Sequence, residues 1–211
     1  MDIAPAAAER PNPDLDVDRW WFEWATADGP SGWVDLSWYP SRELAVYACV
    51  VVLDDGRLVV TVDDEVPMAT PKRSLEFRHA GLWAQHVCET PWEHWTVGLE
   101  AYGTAVTDPD DAAAAPAWGD PTPIGLDVEW EATAPPVAGA QPCKVSGEVL
   151  VGQAEYWVEC TGWRGRGAPT RVDEPSATSG AVRAPAAGRH PTPWIIERQL
   201  VLDGPPYWIG G

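Results

Sequence analysis

Imidazole and carboxyl side chains are the usual carriers of protons near neutral pH, and one short stretch of this chain gathers them. Residues 86–101 read HVCETPWEHWTVGLEA, which sets His86, Glu89, Glu93, His94 and Glu100 among tryptophans. His86-x-x-Glu89 and Glu93–His94 are also metal-capable pairs. On an extended strand, however, residues three apart point to opposite faces. Thr90–Pro91 prevents one helix from aligning the pairs. No metal is expected here. An acid or base role for Glu89, Glu93, His94 or Glu100 requires them to reach a common pocket. The competing reading is structural: a corner between two strands, where polar groups bond exposed backbone.

Other carboxylates carry less. Asp63–Asp64–Glu65 sits at a strand end, where acids are solvated unless one turns into a cavity mouth. Asp127, Glu129 and Glu131 alternate with Leu126, Val128 and Trp130, so the acids face water and the apolar set faces inward. GRGAPTR does not follow a strand and open a helix, as a phosphate loop must. There is no G-x-S-x-G elbow. Nucleotide-dependent and triad chemistry are unsupported, and no cofactor is implied.

These groups must be positioned by a chain of 211 residues, 45% of them hydrophobic, with a formal net charge of −18. That charge argues against nucleic acid and against anionic lipid surfaces as partners. No stretch approaches the roughly 20 apolar residues that span a bilayer. The start, MDIAPAAAERPNPDLD, lacks the basic front and apolar run of a signal peptide. A cytoplasmic protein without membrane insertion is the expectation. Cys49, Cys88, Cys143 and Cys160 form no C-x-x-C pair and read as free thiols. The fourteen tryptophans imply either an unusually aromatic core or a cavity lined for an apolar ligand.

The elements read as strands. Residues 1–18 read as a disordered Ala-, Pro- and Asp-rich lead. Trp20, Phe22 and Trp24 alternate on one face, and Trp33–Tyr39 resume after turn residues. Asp55–Gly56 between two β-branched runs marks a hairpin. Val50–Leu53 is apolar on both faces, so a strand there is central and covered. Further strands lie on either side of Ala80–Gly81, over residues 95–106 and 124–132, and on either side of Gly152–Gln153. Residues 110–115 suit one helical turn, and 195–202 one more strand. From about Gly162 the chain becomes rich in Arg, Gly, Ala, Pro and Ser. About nine short strands with turn signals predict an all-β fold, an antiparallel barrel or sandwich.

The runs DDEVPMA, LEFRHAGLWAQHVCETPWEHWTVGLEAYG, PIGLDVEWEAT and QPCKVSGEVLVG resemble a family of bacterial proteins related to hydroxyneurosporene synthase (carotenoid 1,2-hydratase) and AttH-type proteins. The resemblance covers roughly residues 19–155. It implies two lipocalin-like barrels and hydratase or isomerase chemistry on isoprenoid or polycyclic compounds, without a redox cofactor. The chain departs from that pattern. Relatives carry a histidine at the place of Asp64, and the Asp-His-Ser-Trp segment that opens their second barrel is absent.

The expectation is therefore an antiparallel lipocalin-like barrel over residues 19–160, with residues 161–211 an irregular tail, a truncated or frame-shifted remnant of the second barrel. Its function is expected to be binding an apolar, isoprenoid- or steroid-like molecule through Trp20, Phe22, Trp24, Trp33, Trp38, Trp83 and Trp95. Hydratase or isomerase chemistry belongs to full-length relatives. The alternative is a non-catalytic β-domain that packs on a partner barrel or on itself.

Overall fold

The computed structural model describes residues 9–71, 74–106, 120–137 and 139–167. The chain is all-β. The strands are β1 (Asp18–Ala25), β2 (Ser31–Tyr39), β3 (Leu44–Val52), β4 (Leu58–Pro67), β5 (Leu75–His79), β6 (Leu82–Thr90), β7 (His94–Val106), β8 (Asp120–Ala132), β9 (Ala140–Val151) and β10 (Ala154–Arg166). They form one antiparallel sheet in the order β4-β3-β2-β1-β10-β9-β8-β7-β6-β5. A further pairing of β4 with β7 closes eight of the strands into a ring. Among the described residues no helix is long and apolar enough to cross a membrane.

Turn chemistry sets these hairpins. Gly56 takes φ +85° after Asp55, and Ala80 and Gly81 take φ +44° and +84° between β5 and β6. Two successive positive φ values twist a tight turn in the same sense as its strands. Ring closure depends on another glycine. β4 and β7 pair only over Leu58–Val60 and Thr104–Val106. A Cβ on Gly103 would lie 2.9 Å from both Val59 Cγ1 and Thr61 Oγ1, so a side chain there would hold the two strands apart.

Alternation decides what faces inward. One cluster of buried residues draws on every strand, with Trp20, Phe22, Trp24, Trp38, Tyr47, Trp95 and Trp130 among its largest members. A second cluster occupies the opposite face of β1–β4, where Trp21, Trp33, Val50 and Val60 are also buried. The double-sided apolar run at Val50–Leu53 has this second layer as its cause.

Two boundaries differ from the sequence expectation. The lead is anchored from Glu9 onward: Glu9 is buried, and the Asn12 amide donates to Asp18 Oδ2. Thr161–Arg166 belong to β10 rather than to an irregular tail. They pair with β1, from Ala25↔Thr161 to Trp20↔Arg166, because the alternation of β10 runs on past Gly162. The expected helical turn at 110–115 and strand at 195–202 lie outside the described residues.

Candidate functional site

The four expected proton carriers do not converge. Glu89 is exposed, and its Oε1 accepts a 3.5 Å hydrogen bond from the Thr96 hydroxyl. Glu93 is exposed at the β6–β7 corner, where its amide donates to Thr90 O and its carbonyl accepts from Ala132 N. His94 Nε2 lies 3.3 Å from Glu129 Oε2. Glu100 is exposed on the outer face of β7. All four stand on the wet side of the ring or at its rim, which is the structural alternative. Among the described residues no three of His, Cys, Asp and Glu gather as a metal site. Asp127, Glu129 and Glu131 are exposed, as their alternation predicts.

The interior is aromatic and filled. Trp20, Phe22, Trp24 and Trp38 are 2% exposed or less, and Trp95 is equally buried. A ring lining an open cavity would present surface to water; these present almost none. Phe22 is the hub, with ring centroids 5.2 Å from Trp130, 5.7 Å from Trp95 and 5.3 Å from His86. Trp33 belongs to the second layer instead. An eight-stranded ring is just wide enough to fill with side chains or to hold one small molecule. These indoles take the first course.

His86 lies within this packing, fully buried. Neither ring nitrogen has a hydrogen-bond partner among the described residues, nor does the Tyr47 hydroxyl, and the two rings are 5.8 Å apart. Burial lowers the His86 pKa to about 3. It also lifts the Tyr47 phenol well above its ordinary value, with the charges of Cys49 and Asp35 acting in the same direction. His86 is therefore neutral at pH 7 and is not the acid that alkene hydration needs. A carboxyl held protonated near neutrality does exist. Burial pushes Glu23 to about 8, but Glu23 alternates with Phe22 and Trp24 and so faces the second layer. The sequence signal for it was parity: the acid in WWFEW falls on the same side as Trp21.

The thiols are inert for the same reason. Burial raises Cys88 and Cys143 to about 12 and Cys160 to about 11. All four cysteines are free.

Among the described residues, concavities lie outside the packed interior. The first is an open groove of about 740 Å³ over the β5–β6 turn and the outer faces of β7–β9. Trp83, Glu100, Gly125 and Leu150 face one another across four strands in register. The Leu150 side chain leans over Gly125, where a Cβ would lie 3.1 Å from Leu150 Cδ1. Trp83 is half-buried, and its indole N–H donates to Glu76 at 3.3 Å. On the same outer surface Tyr102 is 71% and Trp157 73% exposed. The second concavity, about 490 Å³, lies at the β6–β7 corner between Trp92, Gln141 and Pro135–Pro136.

Beside this second concavity lies a buried ion pair that sequence reasoning missed. Arg164 Nη1 donates to Glu9 Oε1 at 3.0 Å. The alternation of Val158, Cys160 and Gly162 gives the signal for Arg164, because it continues inward at that position. Gln141 follows β9 inward in the same way. Nothing in the sequence marks Glu9.

No family model matches this chain, and neither a curated protein nor a solved structure matches it.

Proposed function

We propose that this chain is a non-catalytic binding domain that holds an apolar, flat small molecule of isoprenoid or steroid size in the outer groove. The observation that carries the reading is the Trp83–Glu100–Gly125–Leu150 row, in which Leu150 can lie flat over Gly125 because a side chain is missing there, with the Trp83 indole as the facing apolar wall beyond Glu100. Its volume of about 740 Å³ falls within the usual few hundred to ~1,000 Å³ of small-molecule sites. The ligand class is the one that suits the apolar surface Trp83 and Leu150 expose in the groove. Chemistry by this chain is no part of the proposal, because Glu89, Glu93 and His94 lie away from the groove and Glu100 is its only carboxylate among them.

Tryptophan fluorescence during titration with retinol, farnesol and a sterol tests it. A saturable change that disappears in Gly125→Leu, with thermal stability kept, is the expected result. No change with any of the three would overturn it. A second reading has its own support in Tyr102, at the groove, and Trp157, on the same outer surface, whose large rings are exposed. Such surface fits a partner β-domain or a second copy of the chain. Concentration-dependent sedimentation, abolished by Trp157→Lys, would favour that reading.

A further inference from the structure

We propose that Arg164, the Trp95 indole N–H and the Trp92 amide form a receptor for the carboxylate of an apolar organic acid, and that Glu9 fills it in cis. The site is separate from the outer groove and does not rest on the proposal made for that groove.

The receptor is built by strands and occupied by the lead. Glu9 Oε2 accepts from Trp95 Nε1 at 2.6 Å, from Trp92 N at 3.3 Å and from Cys88 Sγ at 3.7 Å. Its Oε1 accepts from Arg164 Nη1 at 3.0 Å. Glu9 and Arg164 are each 4% exposed and lie 155 residues apart. The donors are held rigidly. Arg164 is in register between Phe22 and Gln141, and its guanidinium carbon lies 5.8 and 6.0 Å from the ring centres of Trp95 and Trp92. Trp92 takes φ +65°, an uncommon conformation for a bulky residue, and its amide points at the carboxylate. The occupant is held more lightly. Between Glu9 and Val17, the described hydrogen bonds to the strands are those of Glu9 itself and the Asn12 amide to Asp18.

Glu9 also leaves the receptor partly unused. Arg164 Nε and Nη2 are buried and bond no oxygen among the described residues, their other neighbour being the Cys143 thiol. A guanidinium fork matches a carboxylate best through two parallel N–H bonds, and Glu9 engages one nitrogen. A free acid with room to turn gains the second bond.

The neighbouring concavity indicates the rest of the ligand. Trp92 belongs to both sites, Gln141 links them through its register with Arg164 and its hydrogen bond to the Trp92 carbonyl, and Ala134, Pro135 and Pro136 supply apolar wall, with the exposed Glu93 at the edge. Its volume of about 490 Å³ suits a compact ring system. A net charge of −18 repels polyanions, so one carboxylate on an uncharged body is the form admitted.

Calorimetric titration of the full chain with 2-naphthoate, and with its neutral amide 2-naphthamide, tests this. Glu9→Ala is expected to bind 2-naphthoate about tenfold or more tighter than the wild type, because the internal competitor is gone. The amide should bind neither, and Arg164→Met in the Glu9→Ala background should abolish binding. If Glu9→Ala is unstable because Arg164 loses its counter-charge, melting temperature provides the readout. 2-Naphthoate should then raise it in Glu9→Ala far more than in the wild type. Equal affinity in wild type and Glu9→Ala without such rescue, or equal binding of acid and amide, would overturn the proposal.

Discussion

The half of the ring made by β1–β4 and the half made by β7–β9 share one interior and differ in what lies behind it. Behind β2 and β3 stand Trp33, Ala48, Val50 and Val52, all buried. Behind β8 and β9 stand Asp127, Glu129, Glu131, Lys144 and Leu150, all exposed. Strands buried on two faces read as unbroken apolar runs, whereas strands wetted on one face alternate. One continuous sheet is thus apolar and buried on both faces in one region and wetted on its outer face in the other. Polar groups in the first must find protein partners, as Arg19 and Asp35 do at 2.5 Å.

Charge placement is the strongest way to break this contrast. Val50→Lys puts an unpaired ammonium into the second layer and should cost about 5 kcal/mol in urea denaturation. If it costs less than about 1 kcal/mol, the outer side of β3 is wet and the distinction fails. Trp130→Ala probes the interior that both halves share, and about 3–5 kcal/mol should be lost with the indole.

The pH dependence of stability separates the faces more finely. His86 has a folded pKa near 3, below its ordinary 6.5, so the unfolded chain takes up the proton first. Its neutral burial is harmless above about pH 6.5. Stability is lost as pH falls from there toward 3, at up to about 1.4 kcal/mol per pH unit. His86→Leu should flatten that limb. Glu23 has the opposite sign. Its folded pKa near 8 stands above the ordinary 4.5, so the unfolded chain loses the proton first and stability falls as pH rises from 4.5 to 8. Between pH 4.5 and 6.5 the two slopes oppose each other. Glu23→Gln should raise stability at pH 8 by about 1–3 kcal/mol and change little at pH 4. A Glu23→Gln profile parallel to wild type would show that this carboxyl reaches water. The smallest effect belongs to the exposed face. Trp157→Lys, opposite Glu148 on β9, should stay within about 0.5 kcal/mol of wild type.

Much of the fold could be read directly from residue order. Asp55–Gly56, Ala80–Gly81 and Gly152 announced their hairpins. The alternation through Asp127–Glu131 told inside from outside, and Val50–Leu53 told that one strand was covered twice. What escaped depends on distances the sequence does not carry. Fourteen tryptophans fit a lined cavity as well as a packed one, and only the nearness of Phe22, Trp95, Trp130 and His86 decides for packing. The clustering of imidazole and carboxyl groups drew attention to residues 86–101, yet Glu89, Glu93 and Glu100 face solvent or the rim. The buried carboxylate at the β6–β7 corner comes from Glu9, in a segment whose composition suggested no structure. Its partner Arg164 lay just past Gly162, where the texture of the chain changes.

The pairing of β4 with β7 has a consequence for how the molecule breathes. Every other junction in the ring is held by six or more residue pairs, whereas this one has three. A hoop fails at its clasp. Thr104–Val106 should exchange their amide hydrogens with deuterated water ahead of the rest of β7, so that the ring loosens at this seam before its other junctions part.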